Sequence, residues 1–284
     1  MTLILEGHGW MLELCPDTGG SIGALRKGGR DVLRPAPPSV RNPLQTGCFP
    51  LLPFANRIDG GRFSLDGRDV ALPALPDFSP HALHGEAWLM PWLVESRSAD
   101  TACLVCRHEA GAWPWIWSAR QRFSLSGSGL RIELALTNES GTSMPAGLGF
   151  HPYFPAGPDA RIHFIARSVW LTDAREIPVR AAEPEALVDW SEAPAVGPVR
   201  GLVDHCYDGW TGEARIEDAD GVVQIAASPV CAGLHVFTPS GQDYVCLEPV
   251  THRPDAVNGA PGDMPVLGPG ETAEIWMTVT AGRM

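Results

Sequence analysis

Positive charge is scarce in this sequence. Its 284 residues carry 21 lysines and arginines against 33 aspartates and glutamates, a formal net charge of −12 at pH 7. A chain that tracks nucleic acid needs a basic stripe to displace phosphate counterions, and here the arginines are scattered, so nucleic acid is excluded as a partner. Long apolar runs are missing as well. No stretch reaches the roughly eighteen apolar residues of a membrane span. The opening "MTLILEGHGWMLEL" has no basic start and is interrupted by Glu6 and Glu13, unlike a secretory signal. No membrane partner is expected, and the cytoplasm is the expected compartment. Seven cysteines, an odd number in a chain too large to need stapling, read as free thiols in a reducing compartment.

Long helical patterns are the next absence. The 31 glycines and 27 prolines are spread along the whole chain, and both residues break helices. What lies between them alternates with period two. In "LRIELALTN", Leu130, Ile132, Leu134 and Leu136 fall on one face, with Arg131, Glu133 and Thr137 on the other. The preceding "RQRFSLSGSG" ends in a turn and predicts a hairpin. "RIEDADGVVQIAAS" predicts another, with Asp220-Gly221 as the turn signal. "EIWMTVTAG" closes the chain as a strand, and one short helix is expected within Glu183 to Ala193. Many short strands with no composition break, repeat or low-complexity segment predict an all-β sandwich or barrel, formed as one domain over residues 1–284.

Two cysteine and tryptophan patterns invite functional readings. "CLVC", Cys103 to Cys106, has C-x-x-C spacing, but residues three apart on a strand face opposite sides and cannot share a ligand. "WPWIW" sets Trp113, Trp115 and Trp117 two apart, hence on one strand face, as either core or a sugar platform.

Five segments place polar residues where a half-buried strand does not need them. In "FPLLPFANRIDGG", Arg57 is either paired inside the fold or presents its donor fork to a ligand. "HALHGEAWLMPW" holds His81, His84 and Glu86; it lacks the frame of a known metal motif, and His84 before Gly85 reads as a hydrogen-bonding residue at a tight turn. "GLGFHPYFP" sets His151 in an apolar run, as a core histidine or a proton-transfer group. "GLVDHCYDGW" sets Asp204 and Asp208 around an aromatic patch, suited to gripping sugar hydroxyls or merely to a turn. In "DYVCLEPVTHRPDAVNG", Glu248 ends an apolar strand stopped by Pro249. Desolvation there raises a carboxyl pKa and suits a general base; a buried ion pair explains it equally well.

Taken in order, "FPLLPFANRI", "LHGEAWLMPW", "GLGFHPYF", "VDHCY" and "CLEPVTHRPDAVN" resemble the aldose 1-epimerase (galactose mutarotase) family. The resemblance implies a large antiparallel β-sandwich with few short helices and a monosaccharide bound in an open groove on one sheet. It also implies Glu248 as general base and His151 as general acid, with Arg57, His84 and Asp204 holding the sugar hydroxyls and His84 also near the ring oxygen. Two positions depart from the family pattern: Glu86 stands where a second glycine is frequent, and Pro155 where an asparagine follows the His-Pro-Tyr-Phe run. Both bear on sugar preference more than on the reaction. The chain is also compact for the family, which implies short groove-rimming loops.

Interconversion of α- and β-anomers needs two proton transfers, no cofactor and no metal. One carboxylate and one imidazole meet that need. The competing readings are a non-catalytic sugar-binding module, an epimerase of a different or phosphorylated sugar, and a glycoside-processing enzyme that uses two carboxylates.

Overall fold

Alternation of buried and exposed residues governs the structure, a computed structural model that describes residues 2–282. The strand Leu130–Asn138 shows it most plainly, with every second residue buried along its length. It pairs antiparallel with Trp117–Leu125 on one side and Thr272–Gly282 on the other. These strands lie in an eight-stranded sheet; a second sheet has eleven strands, and every pairing between strands is antiparallel. The inner faces of both sheets share one core. Phe123, Leu134, Leu136 and Ile275 come to it from the smaller sheet, and Phe150, Phe154, Leu234 and Leu247 from the larger. Each such side chain, fully buried, stabilises the fold by about 1.5–3 kcal/mol. The fold is the all-β sandwich that the turn density predicts.

Both predicted hairpins form. Leu125 pairs with Leu130 across the Ser-Gly-Ser-Gly turn. Asp218 pairs with Gly221, so the second turn consists of Ala219 and Asp220, one residue earlier than the Asp-Gly signal. Cys103 and Cys106 do face opposite sides: Cys106 packs in the core, and the Cys103 thiol donates to Glu95.

Three expectations need correction. The helix expected within Glu183 to Ala193 is only a 3-10 turn at Trp190–Glu192, and the one α-helix among the described residues is the four-residue Val196–Val199. Asp189 caps that 3-10 turn through the Ser191 N–H, and the left-handed Ala193 followed by Pro194 ends it after one turn. The tryptophan stripe is not a strand face, because Pro114 keeps Trp113 and Trp115 outside the strand that begins at Trp117. All three rings are buried in the core, so none offers a platform to sugar. Nor does Pro249 stop its strand, which runs through it from Tyr244 to Val250. No helix among the described residues is long and apolar enough to cross a membrane.

Candidate active site

The larger sheet is apolar on both faces. Its outer face carries a second cluster built from Phe49, Leu51, Tyr153, Cys246 and Val250, covered by Trp88. The period of two selects what each strand presents there. From Gly149–Pro155 come His151 and Tyr153, and from Tyr244–Val250 come Tyr244, Cys246 and Glu248. Gly233–Phe237 adds His235 and Phe237, and Asp204–Asp208 adds Asp204 and Cys206.

Register then aligns these residues in rows. Phe49 pairs with His151, Glu248 with His235, and His235 with Cys206. The pairs on either side, Gly149 with Val250 and Tyr153 with Cys246, put His151 opposite Glu248. One row therefore reads Phe49, His151, Glu248, His235, Cys206 across five strands. The next reads Tyr153, Cys246, Phe237, Asp204. Between its flanking pairs the ladder joining the His151 and Glu248 strands is interrupted, where Pro152 and Pro249 offer no N–H.

Loops complete a groove of about 240 Å³ over this face, lined by Asn56, Arg57, His84, His151, Asp204, His235 and Glu248 together with aromatic side chains. All five residues singled out in the sequence thus meet in one cavity. A larger depression, about 630 Å³, lies on the outward face of the eight-stranded sheet and contains none of them.

The His151 and Glu248 side chains are both buried, with Nε2 3.3 Å from Oε1. The imidazole packs against both the Phe49 and Tyr153 rings, whose centroids lie 4.6 and 4.7 Å away. Tyr153 is fixed in turn by the Arg34 guanidinium 3.8 Å above it. Burial pushes Glu248 up to about 8, with the His235 charge opposing. Burial, then the His235 charge, lowers His151 to about 3. Burial alone would strip His235 of its proton, yet its Nε2–H donates to Asp204 Oδ1 at 2.6 Å, and that bond, with Cys206 and Glu248 nearby, raises it to about 10. Burial would raise Asp204 too; the His235 hydrogen bond and charge, then Arg57, outweigh it and hold the carboxyl low. The groove thus contains an imidazolium–carboxylate pair beside a carboxyl–imidazole dyad whose carboxyl is pushed up and whose imidazole is pushed down.

The rim is set by backbone strain. Asn56 and His84 both have positive φ, 59° in each case, and Gly85 follows at 70°. His84 Nδ1 accepts the Asn56 N–H at 3.0 Å, so the ring, kept neutral chiefly by its burial, carries its proton on Nε2 as the donor it can offer a ligand. Arg57 ion-pairs with Glu176, hydrogen-bonds the Asn56 amide oxygen at 3.2 Å and lies 4.0 Å from Asp204. It is both internally paired and exposed to the groove, so the two readings of this arginine hold together. His81 and Glu86 turn elsewhere, His81 to the Gly60 N–H and Glu86 to His108, and form no metal site with His84.

Sequence reasoning missed His235 and gave Asn56 no role. The only signal for His235 was the alternation of "GLHVF", which sets it opposite Leu234 and Val236.

A model of the family described as aldose 1-epimerase matches residues 4–280. The chain belongs to that family. Escherichia coli K12 YphB, itself uncharacterised, is 34% identical over 291 residues, covering 98% of each chain. A solved Escherichia coli K12 structure superposes on 100% of this chain and 99% of its own, with a TM-score of 0.92 at 31% identity. The galactose 1-epimerase of Lactobacillus acidophilus NCFM shares the fold, with a TM-score of 0.81 over 99% of this chain and 95% of its own at 17% identity.

Proposed function

We propose that this protein is an aldose 1-epimerase that interconverts the α- and β-anomers of a free, uncharged aldose such as galactose or glucose. Glu248 and His151 exchange the two protons, and Arg57, His84 and Asp204 hold the hydroxyls. The observation that carries this reading is the buried 3.3 Å contact between a carboxyl and an imidazole on the floor of a groove rimmed by the other three.

In the reaction, Glu248 takes the proton of the anomeric hydroxyl while His151 gives one to the ring oxygen, and the C1–O5 bond opens to the aldehyde. Rotation about C1–C2 and closure with the two roles exchanged deliver the other anomer. Oxidation state does not change, so the chain's own side chains suffice. In the free enzyme near neutral pH the dyad holds one proton, on Glu248, because burial pushes Glu248 up to about 8 and His151 down to about 3. That is the state the dyad reaches after ring opening. A cyclic sugar therefore starts from the other tautomer, reached by passing the proton across the 3.3 Å contact. Each turnover visits both.

Two features favour this over the competing readings. Glu248 faces the His151 imidazole at 3.3 Å while Asp204 is tied to His235 at 2.6 Å, an arrangement that suits exchange of two protons at an anomeric centre better than the two-carboxyl chemistry of a glycosidase. Arg57 already faces the Glu176 and Asp204 carboxylates, which would repel a phosphorylated sugar. Polarimetry on fresh α-galactose and α-glucose tests the assignment. Glu248→Gln and His151→Asn should each slow mutarotation by about 10²–10⁴-fold. Near-wild-type rates in both variants would refute it.

A further inference from the structure

Beside the dyad lies a group that epimerisation does not use. Cys246 shares the strand face of Glu248 two residues away, and it is completely buried. Its sulfur, one His151 ring nitrogen and one Glu248 carboxylate oxygen all lie within 4.8 Å of one another. Two further atoms of the group, His151 Nδ1 and Glu248 Oε2, are buried with no hydrogen-bond partner. Buried polar atoms are nearly always satisfied, and Glu248 Oε2, beside the Oε1 that faces His151, is free to turn onto an ion held there.

Geometry and donor type identify that ligand's class. Tetrahedral ligands 2.0–2.3 Å from an ion stand about 3.3–3.8 Å apart. The His151–Glu248 edge is already 3.3 Å, and the edges to the Cys246 sulfur, within 4.8 Å, close as the ion binds. A thiolate, an imidazole and a carboxylate together suit Zn²⁺ and its soft analogue Cd²⁺, not the oxygen-seeking Mg²⁺ or Ca²⁺. His235, paired with Asp204, Arg57, paired with Glu176, and Arg34 oppose a cation there; the thiolate and carboxylate bring two negative charges against them.

We propose that His151, Cys246 and Glu248 form a reversible site for a zinc-type cation, which occupies the dyad and stops its proton transfers. On binding, the ion displaces the Cys246 thiol proton and the Glu248 carboxyl proton, and its fourth position opens to the groove. Sugar and zinc then compete, and a chelator restores activity. Only the inhibition rests on the epimerase reading; the binding does not.

Calorimetric titration of ZnCl₂ into the full, metal-depleted chain should therefore show one ion per chain whether or not the protein epimerises sugars. Cys246→Ser should weaken binding roughly tenfold or more. Co²⁺ in place of Zn²⁺ should give a thiolate-to-cobalt charge-transfer absorption in the wild type. That band should vanish in Cys246→Ser; should that variant not fold, His151→Asn should weaken Co²⁺ binding roughly tenfold or more, and an unchanged affinity there would count against the site. MgCl₂ should displace neither ion. Absence of stoichiometric binding, unchanged zinc affinity in Cys246→Ser, or a Co²⁺ spectrum without the thiolate band would overturn the proposal.

Discussion

Replacing His235 by glutamine isolates the charge that organises the groove. Glutamine keeps a donor of similar reach but removes the positive charge and leaves Asp204 without its counter-ion. Removing one partner of a buried ion pair costs about 3–5 kcal/mol. Asp204 keeps 30% of its side chain exposed, and water there screens the orphaned carboxylate, so the cost falls to about 2–3 kcal/mol at pH 6. The loss has a sign in pH. Folded His235 holds its proton up to about pH 10, whereas in the unfolded chain a histidine releases it near 6.5. The wild-type advantage is therefore complete below about pH 6.5 and is lost as the pH rises toward 10. It shrinks by at most about 1.4 kcal/mol per pH unit.

Urea unfolding of wild type and His235→Gln, followed through the ten tryptophans at several pH values from 6 to 10, measures this difference directly. A gap below about 1 kcal/mol at pH 6, or an equal gap at pH 6 and pH 10, would show that His235 and Asp204 are not a charged pair. The same variant has a kinetic signature. His235 is the largest influence opposing the burial of Glu248, so its loss should move the alkaline limb of the rate profile to higher pH.

Three further outcomes are expected. In metal-depleted buffer, wild-type kcat/KM should fall above about pH 8, where the dyad loses its shared proton; a rate flat to pH 10 would contradict the one-proton dyad. Arg57→Ala removes a charged donor that grips hydroxyls and should raise KM about 10–100-fold with kcat little changed; an equal loss in kcat at constant KM would assign Arg57 to the transition state instead. Gly85→Ala should destabilise the fold by at least about 2 kcal/mol in a thermal melt, because φ is +70° and a Cβ there would stand 2.2 Å from the Leu52 carbonyl oxygen; an unshifted melting point would show that this turn relaxes freely.

The parts of the molecule that could be read from the sequence are those fixed by neighbours in the chain. Leu130–Asn138 shows its alternation directly, and its hairpin partner follows within a few residues. Local reasoning failed where one residue changes the geometry around it. Pro114 turns an apparent tryptophan face into separate core plugs, and Pro249 stays inside a strand that it was expected to end. The site is harder still, because it is a row across five strands. His151 and Glu248 were legible as motifs, yet what makes them a pair is the antiparallel register between strands 97 residues apart, which no local pattern encodes. His235 shows the limit most clearly. Its alternation with Leu234 and Val236 is that of any strand residue, and its partner Asp204 lies 31 residues upstream on the neighbouring strand. A buried histidine beside a carboxylate becomes a cation; the same histidine beside leucine would be neutral, and Glu248 would hold its proton more tightly. The protonation state of the dyad is therefore set by a pairing that only the folded sheet creates.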